Sequence, residues 1–183
     1  MTNNFIYYDF YEELKTELPT SLAIQRKRWA FFIIENKIDI KALSILLQSD
    51  KKTGLRYAWL LSEIGQLNAD SLFAELPYLL KLSEQIDHFY FIESFATYWL
   101  IAGVPNENES QAIELLFGWV LSNEINVTTK FRALQVLVQL CNKFPELKNE
   151  LFICLEDQEG KQSKDFEKKI KKVLIELKTN CSE

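Results

Sequence analysis

Apolar side chains return every three or four positions along almost the whole chain, the spacing that lines one face of an α-helix. Tyr7, Phe10, Tyr11, Leu14 and Leu18 form the first such face, with Asp9, Glu12, Glu13 and Lys15 on the rest of the turn. Pro19-Thr20-Ser21 interrupts it, and a second helix is predicted to about Glu35. Asp39 and Asp50 are placed to cap a short helix through Leu47 and a longer one over about 51–65, because a carboxylate accepts the orphan N–H groups of a first turn. Further helices are predicted over about 70–83 with Pro77 inside, and over 87–103, 110–122, 128–143, 145–156 and 164–178. Pro145 suits a first helical position and Ser163 a cap. No segment alternates with period two as a strand does, so the fold class is all-α.

The helices fall into a register. RYAWLLSEIG (56–65), SFATYWLIAG (94–103), FRALQVLVQL (131–140) and EKKIKKVLIEL (167–177) align on Ala58, Ala96, Ala133 and Ile170, at spacings of 38, 37 and 37 residues. A shorter unit, KRWAFFIIEN, puts Ala30 in the same slot 28 residues before Ala58. Alanine at such a slot lets two helices approach closely, and larger residues a turn later fill the groove. A second apolar helix follows each aligned one, as with Leu72, Leu76, Leu79 and Leu80. A helix pair repeated about every 37 residues is the signature of an α-solenoid.

With AELPYLLKL (74–82), and with FPELKNELFICL (144–155) after FRALQVLVQLCNK, the chain resembles the HEAT/armadillo-like family over about residues 27–178. The Asp and Arg ladder of HEAT arrays is only partly present. The resemblance implies a right-handed α-solenoid of four to five stacked helix pairs, whose surface binds something and carries no chemistry of its own. The expected organisation is a single domain, 1–183. Residues 1–26 supply an N-terminal cap, 27–160 the repeats, 161–178 a capping helix and 179–183 a frayed tail.

Composition narrows the function classes. The 183 residues are 48% hydrophobic and 13% aromatic, which excludes disorder, and the 5 Gly and 4 Pro are too few for a turn-rich β fold. A net charge of −5 repels phosphate backbones unless Lys and Arg gather on one face. Cys141, Cys154 and Cys181 have no metal-binding or disulfide spacing. The opening MTNNFIYYDFYEELK lacks the basic-then-apolar order of a secretory leader, and a cytoplasmic protein with no membrane span is expected. His88 is the single histidine, so a multi-histidine metal site is excluded; beside Glu84 and Asp87 it reads as a helix-start residue. No phosphate-binding glycine loop or nucleophile elbow occurs, and Glu12-Glu13 and Glu156-Asp157 read as solvated faces. No enzyme activity, cofactor or metal is expected.

Two basic features and the aromatics remain. Arg26, Lys27, Arg28, Lys51, Lys52 and Arg56 lie near the starts of successive aligned helices, with Lys130, Arg132 and Lys169 at similar phase, and could line one edge. Residues 161–178 hold seven Lys against three acids; Lys168, Lys169 and Lys172 are their candidate contact residues, although a capping helix needs a polar outer face in any case. Trp29, Tyr57 and Phe95 precede the aligned alanines and read as core, as do Trp59, Tyr98, Trp99 and Trp119, while Tyr7, Tyr8 and Tyr11 are expected to be partly exposed. An interaction scaffold for a protein partner is the expected function. The alternative is nucleic-acid binding of the kind found in the HEAT-like alkylpurine DNA glycosylases, with Trp29, Trp59, Trp99 and Arg56 toward DNA, although no residue matches a motif of theirs.

Overall fold

The computed structural model describes residues 2–86, 89–158 and 160–179. Eleven α-helices and no strand occur among them: α1 (Thr2–Glu17), α2 (Ala23–Glu35), α3 (Ile40–Leu43), α4 (Lys51–Leu67), α5 (Ala69–Phe73), α6 (Leu76–Ser83), α7 (Phe89–Ala102), α8 (Glu109–Leu121), α9 (Val127–Lys143), α10 (Leu147–Asp157) and α11 (Lys164–Thr179). The boundaries are set by local chemistry. Asp39 Oδ1 accepts from the Lys41 and Ala42 amides at 2.9 and 3.3 Å, and Asp50 Oδ1 does the same for Lys52 and Thr53. Asn126 and Ser163 accept from Thr129 N and Phe166 N, starting α9 and α11. Each such cap contributes about 1 kcal/mol.

Two helices differ from expectation at proline. Residues 69–83 form two helices, not one, and Pro77 stands in the first turn of α6. Its ring excludes the carbonyl four residues back and it has no N–H, so α5 ends at Phe73. Pro145 lies in the turn that precedes α10, where Leu147 N donates to Phe144 O at 3.0 Å. Gly65 does not stop α4, which continues to Leu67.

The chain divides into two compact units, Met1–Glu107 and Asn108–Glu183. In the first, α2 packs on α4 and α4 on α7, so the helices carrying Ala30, Ala58 and Ala96 are successive neighbours; all three alanines are fully buried. α5 lies against α4 and α7, and α6 against α7. The α4–α7 contact is close because small residues form its seam. A Cβ on Gly54 would stand 2.8 Å from Tyr90 Oη, and one on Gly65 3.2 Å from Ile101 Cγ2. Between them the Tyr98 hydroxyl donates to Ala58 O at 2.8 Å. These contacts advance together along both helices, so α4 and α7 run in the same direction. Phe95 stacks between Phe91, Tyr98 and Trp99 at centroid distances of 5.2–5.7 Å, filling the α7 side.

In the second unit α9 is central: α8, α10 and α11 each pack on it, and α10 touches α11. Ala133 of α9 and Ile170 of α11 are fully buried. Among the described residues, no helix is long and apolar enough to cross a membrane.

Enlarging the seam tests this packing. Ala58 is fully buried, so Ala58→Leu overpacks the core and is expected to destabilise the first unit by about 1–3 kcal/mol. Urea unfolding followed by circular dichroism measures it; unchanged stability would show that the seam is looser than described.

Candidate functional site

The basic residues singled out by sequence occupy several distinct environments. Arg26, one turn into α2, is buried at 6% exposure. Its Nη1 donates to Ser21 O at 2.8 Å and Ser21 Oγ at 3.3 Å, and Ser21 is itself held because its hydroxyl donates to Leu18 O. The guanidinium lies over the Trp59 indole, 5.1 Å from the ring centroid, and Arg56 lies over the same ring at 4.6 Å. The packing of α2 on α4 thus brings Arg26 and Arg56 to one tryptophan. Burial, and then the charge of Arg56, lower the affinity of Arg26 for its proton, while Glu63 opposes them.

Lys27 and Arg28 point elsewhere. They rim a groove of about 540 Å³ between α1 and α2, floored by Phe10, Trp29 and Phe32 and closed by Glu13 and Glu35. Trp29 Nε1 donates to Glu13 at 2.7 Å, which fixes that wall. The exposed Ile24 and Phe31 also line it. Lys51 and Lys52 are exposed in the first turn of α4, one helical turn before Arg56, and Tyr90 donates its hydroxyl to Lys51 O. Tyr8 is exposed and Tyr11 half-buried, as expected; the side chain of Tyr7 lies outside the described residues.

In the second unit, Lys168, Lys169 and Lys172 come together. They line a groove of about 320 Å³ between α9 and α11, with Phe131, Gln135, Val138 and Gln139 opposite and Val173 and Glu176 alongside. Lys169 Nζ stands 3.6 Å from the Phe131 ring centroid, a cation–π contact that holds one lysine over the apolar floor. Lys130, expected at the same phase as the surface cations, is instead buried at 3% exposure. Its ammonium donates to Gln162 Oε1 at 2.6 Å and lies over Phe166, and burial lowers its pKa.

Most aromatics are core, as their spacing predicts: Trp29, Tyr57, Phe95, Tyr98, Trp99 and Trp119 are all buried. Trp59, read as core from sequence, is the exception at 40% exposure. Its place two residues after Tyr57 on α4 turns it away from the α4–α7 seam, a signal that helical phase alone carried.

The remaining candidate titratable groups are placed as follows. Asp87, His88 and Cys181 lie outside the described residues. Asp157 is paired with Lys161 at 2.9 Å and Glu12 with Lys15 at 3.9 Å. No metal-holding cluster of acidic, His or Cys side chains occurs among the described residues. Burial pushes the Cys141 thiol up to about 11 against a smaller pull from Lys148, so the thiolate a nucleophile needs is scarce near neutrality.

Two measurements follow. In the folded protein, iodoacetamide at about pH 8 should leave Cys141 unlabelled, with labelling rising as pH approaches its pKa or on unfolding; peptide mass spectrometry checks this. Trp59→Phe should remove the long-wavelength, acrylamide-quenchable part of the tryptophan emission, because the other three indoles are buried; a quenching curve unchanged by the substitution would contradict that placement. No protein-family model, curated protein or solved structure matches the chain.

Proposed function

We propose that the chain is a HEAT/armadillo-like right-handed α-solenoid that serves as a non-enzymatic protein-interaction scaffold, and that its α9–α11 groove takes an acidic, leucine-bearing segment of a protein partner. The observation that carries this reading is the pairing of three lysines, Lys168, Lys169 and Lys172, with an apolar floor of Phe131, Val138 and Val173. An amphipathic helix laid in such a groove buries its leucines while its carboxylates meet the ammonium groups. The repeat reading is supported by the succession α2, α4, α7 and by the α9–α11 contact, both falling on the aligned positions.

A nucleic-acid strand suits this groove less well. It offers no leucine-sized group for the floor, and Glu176 stands on the lining where a continuous phosphate backbone would pass. The net charge of −5 also opposes long-range attraction of a polyanion.

The test is fluorescence anisotropy with a labelled amphipathic Glu/Leu peptide of about twelve residues, a length of helix that lays its anchors along one groove. The native chain is expected to bind it more tightly as salt falls. Joint replacement Lys168→Glu, Lys169→Glu and Lys172→Glu should weaken binding at least about tenfold, about 1.4 kcal/mol, with helix content unchanged. Equal binding by the variant, or none by the native chain at low salt, refutes the groove. Duplex DNA that binds in place of the peptide would establish the nucleic-acid reading.

A further inference from the structure

An electrostatic conflict lies away from that groove, where α2 packs on α4 in the first unit. Two guanidinium groups share one half-exposed indole, at 5.1 and 4.6 Å from its centroid. Neither forms an ion pair among the described residues, whereas Lys15, Lys41, Lys143 and Lys161 each have a carboxylate partner. Like charges are not usually gathered on one ring without an anion to reconcile them, because each raises the cost of the other.

Arg26 is also built as a donor, not merely tolerated. Ser21 takes Nη1 through both its carbonyl and its hydroxyl, and Leu18 holds Ser21 in turn, so the guanidinium is fixed in orientation. Its Nε, shut away from solvent, has no acceptor. A buried donor without a partner is rare in folded proteins. The Nε side of a guanidinium is one of the two edges with which arginine grips an oxyanion in a fork. Glu63 is the acidic group whose field reaches Arg26; it stands beyond ion-pair distance, and its effect ranks below those of burial and Arg56.

We propose that Arg26 and Arg56, held against Trp59, form a phosphate-binding site in the first unit. The dianionic phosphate group is the recognised chemistry, because two guanidiniums together match its charge and its three acceptor oxygens. Arg26 supplies the fixed donors, and Arg56, half-buried on α4 over the same ring, supplies the second charge. The site is separate from the lysine groove and does not depend on what that groove binds.

Two readouts test it on the full chain: Trp59 emission and the thermal midpoint. Inorganic phosphate should change the emission and raise the midpoint beyond what sodium chloride of equal ionic strength does, since a ligand that binds only the folded state stabilises it. Arg56→Gln should abolish both responses, and Arg56→Lys should weaken them, keeping a charge without the fork. A short neutral peptide bearing phosphoserine forms the second arm. A response to both probes assigns the site to the phosphate group itself, and a much stronger response to the peptide assigns it to a phosphorylated partner. Phosphate without effect beyond the chloride control overturns the proposal. So does an Arg56→Gln chain that melts lower yet responds to phosphate like the native chain, because Arg56 would then serve only packing.

Discussion

The close approach of α4 and α7 governs the first unit. It requires Gly54, Ala58 and Gly65 along one face of α4, since any larger side chain would collide with Tyr90, Tyr98, Leu72 or Ile101. Once the helices lie that near, the Tyr98 hydroxyl can satisfy itself on a backbone carbonyl inside the core, and Phe91, Phe95 and Trp99 can pack around it. Helical phase turns Trp59 away from that seam. The indole emerges on the opposite flank of α4, where α2 brings Arg26 to meet it.

The parts of the structure that were legible in the sequence are those decided by neighbours within one turn. The caps at Asp39, Asp50, Asn126 and Ser163 act over two or three residues. The burial of Ala30, Ala58, Ala96, Ala133 and Ile170 was legible because it follows from the apolar face of each residue's own helix. Pro77 was misread since a proline is tolerated both inside a bent helix and in a first turn, and the choice rests on whether residues 74 and 75 can form a turn with the core behind them. The fates of Arg26 and Lys130 were hidden for a different reason. Each sits in a polar run, and the groups that cover it are distant in sequence, Trp59 for one and Gln162 and Phe166 for the other.

The two candidate sites use positive charge in physically different ways. Lys168 and Lys172 are exposed, so their attraction is long-ranged and screened by salt. Arg26 is desolvated and braced, so its contribution is short-ranged and geometric. On the proposed readings, the first kind of charge would draw a partner from a distance and the second would discriminate a particular chemical group on contact.

The placement of α4 has one more consequence. α2, α5, α7 and the 3-10 turns at Leu18–Thr20 and Ser44–Gln48 all rest on it. A loop or an outer helix can open without disturbing the rest, but the buried face of α4, from Tyr57 and Ala58 to Leu61 and Ile64, reaches water only when several neighbours leave together. Its amide protons should therefore exchange with solvent at the rate of whole-unit opening, which makes α4 the clock by which the cooperativity of the first unit is read.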